Sequence, residues 1–262
     1  MNEKIIFDDG AAYERFMGRW SRAVGAGFLN WLAPPKNARW LDVGCGTGAF
    51  TELVLDTCAP SAIAAVDPSA EQIDYAKRLP VGQRADFRVA DAQSLPFPDG
   101  SFDVVASALV INFVPDRPRA IAEMRRVACS GGTVAGYVWD FAGERGTGAP
   151  FIRGMRQLGI AGPRVPGAED SSTEALQSLF MRAGLADVAV RPIEITVTSN
   201  NFDDYWSAQT PGFSPNGRLI AALSEDDRAQ LKGAVRGIVL PDGGSDIAYP
   251  ATANAWKARV PV

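Results

Sequence analysis

Gly44, Gly46 and Gly48 stand two residues apart directly after the apolar run Trp40-Leu-Asp-Val43. Glycine is needed where a backbone must turn tightly and come close to a ligand, and the helix predicted from Ala49 presents unpaired N–H groups at the same place. Carboxylates recur at matching points: Asp42 just before the glycines, Asp67 after Ser61-Ala-Ile-Ala-Ala-Val66, and Asp91 after the run ending at Val89. A carboxylate only accepts hydrogen bonds, so it pairs with hydroxyls or an exocyclic amine, and an ionised acceptor binds about twice as strongly as a neutral one. This is chemistry for gripping a nucleotide-shaped ligand. Gly44-x-Gly46-x-x-Ala49 followed by Asp67 also satisfies the loose dinucleotide fingerprint, so glycine spacing alone does not name that ligand.

The series as a whole is more specific. Asp42, the glycines, Asp67-Pro68-Ser69, Val89-Ala90-Asp91-Ala92 and Leu95-Pro-Phe-Pro-Asp-Gly-Ser-Phe-Asp-Val-Val105 follow one another in an order that resembles class I S-adenosylmethionine (SAM) dependent methyltransferases. The branch is the small-molecule one that includes the ubiquinone and menaquinone biosynthesis enzymes. The resemblance covers residues 38–139 and fades past Phe141. It implies an α/β fold: a Rossmann-like, doubly wound, mainly parallel seven-stranded sheet with helices on both faces and an antiparallel last strand. It also implies methyl transfer from SAM to a small, partly apolar acceptor by in-line displacement, with S-adenosyl-L-homocysteine as product.

Carried over by position, the resemblance puts the methionine half of SAM over Gly44, Gly46 and Gly48, its ribose hydroxyls on Asp67, and its adenine amine on Asp91 with the Ala92 backbone. Asp42, Cys45, Pro68, Gln72, Gln93, Ser107 and Ala108 complete the implied cofactor shell. In related enzymes an N-terminal segment folds over the cofactor. Here that segment would bring Arg19 to the methionine carboxylate through its planar fork, with Tyr13 and Trp20 covering the site. Alternatively it is an amphipathic helix packing Phe16 and Trp20 on the sheet, with Arg19 solvated.

Apolar runs predict strands near 39–43, 62–66, 85–89, 102–107 and 132–139, with helices over 49–57, from Ser69, and over 118–127, ending before Gly131-Gly132. Ser69-x-x-Gln72 resembles a capping box. A further helix is expected over 171–184, with strands over 186–197 and 247–260. The expected organisation is a single domain: a helical lid over 1–37, a SAM-binding core over 38–140, insertions over 141–170 and 198–246 capping the C-terminal strand ends, and sheet completion by 171–197 and 247–262.

Composition narrows the function classes. With 262 residues, 47% of them hydrophobic, the chain can bury one sizeable core. A net charge of −4, without a basic run interleaved with aromatics, disfavours a nucleic-acid partner. No stretch of about 18 uninterrupted apolar residues occurs and the first residues are polar, so a cytoplasmic protein without membrane insertion is expected. Cys45, Cys58 and Cys129 are an odd, scattered set and no metal cluster is expected. The sequence contains no histidine. That removes the commonest general base and transition-metal ligand. Asp140 and Tyr137, at the end of the fifth strand, are the candidates for a proton acceptor or orienting group.

Acceptor-side residues are expected after strand four (107–113), after strand five (139–141) and in the insertions, where Phe151, Met155, Phe202, Tyr205, Trp206 and Phe213 suit either a lid or the anchoring of long loops. An NAD-dependent oxidoreductase and a SAM-binding protein without catalysis are the alternative readings. The first has the glycine loop starting unusually late in the chain and no hydride-transfer constellation downstream.

Overall fold

The computed structural model describes residues 19–212 and 214–262. Helix α1 (Arg19–Leu32) leads into β1 (Arg39–Val43), α2 (Ala49–Cys58), β2 (Ala62–Asp67), α3 (Ala70–Arg78), β3 (Asp86–Val89) and β4 (Phe102–Ala108). Then follow α4 (Arg117–Val127), β5 (Ala128–Trp139), α5 (Ala149–Gln157), α6 (Thr173–Arg182) and β6 (Ala186–Ser199). Helices α7 (Phe202–Gln209), α8 (Pro215–Ala222) and α9 (Glu225–Val239) precede β7 (Ile247–Arg259). The strands form one seven-stranded sheet in the order β3-β2-β1-β4-β5-β7-β6. The ladders from β3 through β5 are parallel, and β7 runs antiparallel between β5 and β6.

Apolar alternation decides which face each helix covers. Ile63 and Ala65 of β2 and Ala135 and Tyr137 of β5 face α1, α2 and α3, whereas Ala64, Val66, Val134 and Val138 face α4 and α6. Central strands buried on both faces read as near-continuous apolar runs, which is why they were legible before the structure. Helix α3 starts where the sequence signals it: the Ser69 hydroxyl accepts the Gln72 N–H at 3.3 Å.

Some expectations change. β5 begins at Ala128 rather than beyond the glycines, and its pairing with β4 skips from Phe102–Ala128 to Val104–Thr133, so Gly131-Gly132 form a bulge inside the strand rather than ending a loop. Between β3 and β4 no helix forms. The residues there include Pro96, Pro98 and Gly100, and side chains of α4 replace the missing helical bonds: Arg126 donates to the Leu95 and Phe97 carbonyls at 3.0 and 2.8 Å, and Glu123 accepts the Leu95 N–H at 2.8 Å. Pro250 is tolerated in β7 because the β5 ladder ends at Trp139–Ala253, leaving only β6 beside it.

The insertions are helical rather than open loops. Phe151, Phe202, Tyr205 and Trp206 pack on one another with ring centroids 5.2–6.1 Å apart. The Tyr205 hydroxyl meets that of Tyr249 at 3.2 Å, and Tyr249 donates to the Thr147 carbonyl at 2.5 Å. Phe151, Met155, Phe202 and Tyr205 are fully or almost fully buried, so they anchor the insertions; Phe213 lies outside the described residues.

Candidate functional site

The loop between β1 and α2 is held from both sides. Gly44 and Cys45 donate their N–H groups to the Val66 carbonyl of β2 at 2.7 and 3.0 Å, and Gly48 donates to Cys45 at 2.9 Å. The Gly46 N–H donates to Asp67 Oδ2 at 3.0 Å, while the Ser69 N–H donates to Oδ1 at 2.9 Å. Asp67 thus ties the glycine loop to the start of α3. A carboxylate has about four acceptor positions, so both oxygens keep capacity for ligand hydroxyls. Burial raises the Asp67 pKa above the ordinary carboxylate value, with the two backbone N–H bonds opposing it.

The glycines are not equivalent. A Cβ on Gly44 would lie 2.4 Å from Val110 Cγ1, and one on Gly48 would lie 2.9 Å from Phe87 Cζ, so both are required by the protein's own packing. At Gly46 a Cβ would meet nothing within 4 Å, although φ is +53°. Only there does the loop present its backbone to open space. No side chain caps the first turn of α2 behind it, which also carries the acidic Glu52.

Asp42 lies beneath the loop and is 1% exposed. Its Oδ2 accepts the Thr51 hydroxyl at 2.6 Å, whereas Oδ1 has no hydrogen-bond partner. Burial, with Asp67 nearby and opposed by the Thr51 bond, pushes its pKa up to about 7. Cys45 is buried beside these carboxylates, and desolvation pushes its thiol well above its usual range. It is a packing residue in the oxidation state of a free thiol.

Further out, Asp91 Oδ1 accepts both the backbone N–H of Gln93 at 2.8 Å and its side-chain amide at 3.0 Å. Gln93 Oε1 in turn accepts the Asp116 N–H at 3.1 Å. Asp91 therefore caps its own turn, and its exposed carboxylate keeps acceptor positions beyond it. Ala92 and Gln72 are buried, Pro68 is exposed, and Ser107 at the end of β4 is buried with an unpartnered hydroxyl beside Ala108.

Tyr13 and the side chain of Arg19 lie outside the described residues. Trp20 is described and does not cover the glycine loop. It is buried beside Thr198, Ser199, Asn200 and Tyr205, at the β6 end of the sheet. Four strand spacings separate β6 from β1, roughly 19 Å at about 4.8 Å each. The apolar face of α1, with Val24 and Phe28, took the indole into the core.

The two proton-acceptor candidates also have structural duties. Tyr137 sits in the core against Phe28 and Phe50, at centroid distances of 5.1 and 5.9 Å, with its hydroxyl 3.5 Å from the Ser21 carbonyl. Asp140 is buried; its Oδ1 accepts the Gly143 N–H at 2.8 Å and its Oδ2 the Arg145 Nε at 2.5 Å. Both partners of Asp140 come from the turn that follows it, three and five residues along the chain, so Asp140 caps its own turn. Asp140→Ala should lower stability by about 0.5–1.5 kcal/mol for each hydrogen bond lost, because the exposed Gly143 and Arg145 donors turn to water instead. Thermal melting checks the loss, and ligand affinity should stay at the parental level.

The segment after β4, expected on the acceptor side, has contacts that sequence reasoning did not anticipate. Leu109 adopts φ +62° and donates its N–H to the Tyr137 carbonyl at 2.7 Å, which turns Val110 onto Gly44. Asn112 is buried, with Nδ2 donating to the Pro166 carbonyl at 3.2 Å and Oδ1 unpartnered. Arg117 donates to the Asn112 carbonyl at 3.4 Å and pairs with Asp170. These contacts seat the first insertion beside the glycine loop, and no local spacing announces them.

Among the described residues no helix is long and apolar enough to cross a membrane, and no group of histidine, cysteine or carboxylate residues is arranged to hold a metal. Residues 41–136 match the family model for a methyltransferase domain. The chain is 39% identical over 103 residues to demethylmenaquinone methyltransferase from Roseiflexus castenholzii, covering 39% of this chain and 43% of that protein. It is 39% identical over 106 residues to ajmaline N-methyltransferase from Rauvolfia serpentina, covering 38% and 36%. The chain thus spans under half the length of these curated relatives. In fold it is similar to phosphoethanolamine N-methyltransferase 2 from Haemonchus contortus, solved with S-adenosyl-L-methionine, with a TM-score of 0.57 at 18% identity over 96% of this chain and 58% of that one. The glycine loop, Asp42 near the end of β1 and Asp67 at the end of β2 lie within the matched span, and residues 41–136 of this chain are similar to a methyltransferase domain.

Proposed function

We propose that this protein binds SAM across the β1 and β2 ends and transfers its methyl group in line to a small, partly apolar organic acceptor. The observation that carries the reading is the pairing of Gly46, whose α-carbon faces open space, with Asp67, which is fixed by two backbone N–H groups and retains acceptor capacity. Residues here fit the cofactor: an open backbone for its methionine half, a carboxylate for its ribose hydroxyls, and Asp91 for its adenine amine. The relatives named above are called methyltransferases of demethylmenaquinone and of ajmaline, which supports a small organic acceptor.

SAM bound there supplies an electrophilic methyl group on a sulfonium. The protein's part is to hold the acceptor in line and exclude water, and positioning of this kind can lower a barrier by roughly 7–11 kcal/mol. The segment after β4 and the first insertion, joined through Asn112 and Pro166, wall the acceptor side. With no histidine in the chain and with Asp140 and Tyr137 held by structural bonds, neither is retained as the base. An acceptor nucleophile that reacts without a protein base accords with this.

Isothermal titration with SAM and with NAD tests the cofactor, and transfer of a labelled methyl group tests turnover. SAM should bind and NAD should not. Asp67→Ala should weaken SAM by about one to two orders of magnitude, because hydrogen bonds to a charged acceptor contribute about 1.5–3 kcal/mol each before water compensates. Unchanged affinity in that variant would remove the ribose assignment, and NAD binding without SAM binding would favour the oxidoreductase reading.

A further inference from the structure

We propose that Val110, the second residue beyond β4, is a positioning residue that sets the conformation of the cofactor loop through Gly44. This rests on the SAM-binding reading above. Gly44 has φ +80°, and its ideal Cβ position lies 2.4, 2.6 and 2.9 Å from Val110 Cγ1, Cγ2 and Cβ. The branched side chain is therefore pressed against the Gly44 α-carbon. On the opposite side the same turn hangs from the Val66 carbonyl of β2 through the Gly44 and Cys45 N–H groups. The loop is clamped between a backbone bond to β2 and a side chain from the β4 end.

Val110 reaches that position at a local cost. Leu109, a γ-branched residue without glycine's freedom, is held at φ +62° by the bond from its N–H to the Tyr137 carbonyl. Such conformations persist where the surroundings over-determine them, and they cluster at functional sites. Two residues further on, Asn112 binds the Pro166 carbonyl, and Arg117 joins the Asn112 carbonyl to Asp170. Val110 thus stands between the cofactor loop and the insertion that walls the acceptor side. A shape requirement at this one side chain couples the two halves of the site.

Space filling and positioning make opposite demands on substitutions at Val110. Threonine keeps the β-branched shape but introduces a hydroxyl, which is not an isosteric apolar swap. Leucine keeps the apolar character and moves the branch one carbon outward, away from Gly44. SAM affinity by isothermal titration and melting temperature are measured on the full chain for parent, Val110→Thr and Val110→Leu. The expected result is a SAM affinity for Val110→Thr within twofold of the parent and an affinity for Val110→Leu weakened about fivefold or more, whatever the order of their melting temperatures. Val110→Ala should resemble the leucine variant. If Thr weakens SAM more than Leu, or if all variants bind like the parent while only melting temperatures change, Val110 is a space-filling residue and the proposal falls. A parent that binds no SAM overturns the cofactor reading instead. Should leucine not fold, the comparison of alanine with threonine decides in the same way.

Discussion

Gly46→Ala is expected to abolish SAM binding while the protein stays folded. Nothing lies within 4 Å of the position its Cβ would take, so no part of the protein resists the new methyl group. The backbone there has φ +53°, and an L-residue held in that region costs about 1–2 kcal/mol. That loss is affordable for a domain of ordinary stability, about 5–15 kcal/mol. The methyl group would instead occupy the space where the loop meets its ligand. Gly48→Ala provides the contrast: its Cβ would fall 2.9 and 3.2 Å from Phe87 ring atoms and 3.3 Å from Val81, so overpacking adds about 1–3 kcal/mol to the backbone cost. Thermal melts and titration of both variants separate the two roles. A Gly46→Ala protein that melts well below Gly48→Ala would show the glycine serving the fold rather than the ligand.

Asp42→Asn is expected to flatten the dependence of stability on pH. The folded-state pKa of Asp42 is about 7, raised first by burial and further by Asp67, with the Thr51 hydroxyl bond working against both. The ordinary aspartate value is about 3.9. Between those values the folded chain holds a proton that the unfolded chain has released, so unfolding releases protons and stability falls as pH rises through this window. The direction is opposite to that of an acid stabilised by a salt bridge. A difference of about three pKa units corresponds to on the order of 4 kcal/mol. Asparagine keeps an acceptor for Thr51 and cannot ionise. Denaturant unfolding at intervals from pH 4 to pH 8 should therefore show the variant gaining on the parent as pH rises, with little difference at the acid end. Parallel curves for the two proteins would mean that Asp42 is charged throughout. Asp67, whose pKa is also raised by burial, contributes in the same direction and remains in both proteins.

The β1–glycine loop–α2 unit was legible before any coordinates because local physics writes it into consecutive residues: an apolar run for a doubly buried strand, glycines for a turn with positive φ, and then a helix. The same holds for β2, the Ser69 cap and the acids near the ends of β1, β2 and β3, since strand ends and caps depend on neighbours a few residues away. The antiparallel final strand came from family resemblance, since no local pattern in β7 specifies its partner or direction. What the sequence alone could not supply were contacts between distant segments. Nothing in the spacing of Gly44, Gly46 and Gly48 distinguishes the two glycines demanded by Val110 and Phe87 from the one open to a ligand, because those neighbours arrive from β4 and β3. Trp20 suited a core slightly better than a cover, and tertiary packing placed it at β6, where α1 could bury its apolar face. Asp140, by contrast, is closed locally: the Gly143 N–H and Arg145 Nε that take both of its oxygens come from the next five residues. Local sequence determined the strands, turns and caps, because each depends on residues close in the chain; long-range packing decided which glycine faces open space and where Trp20 and the first insertion sit, because those roles depend on what folds against them.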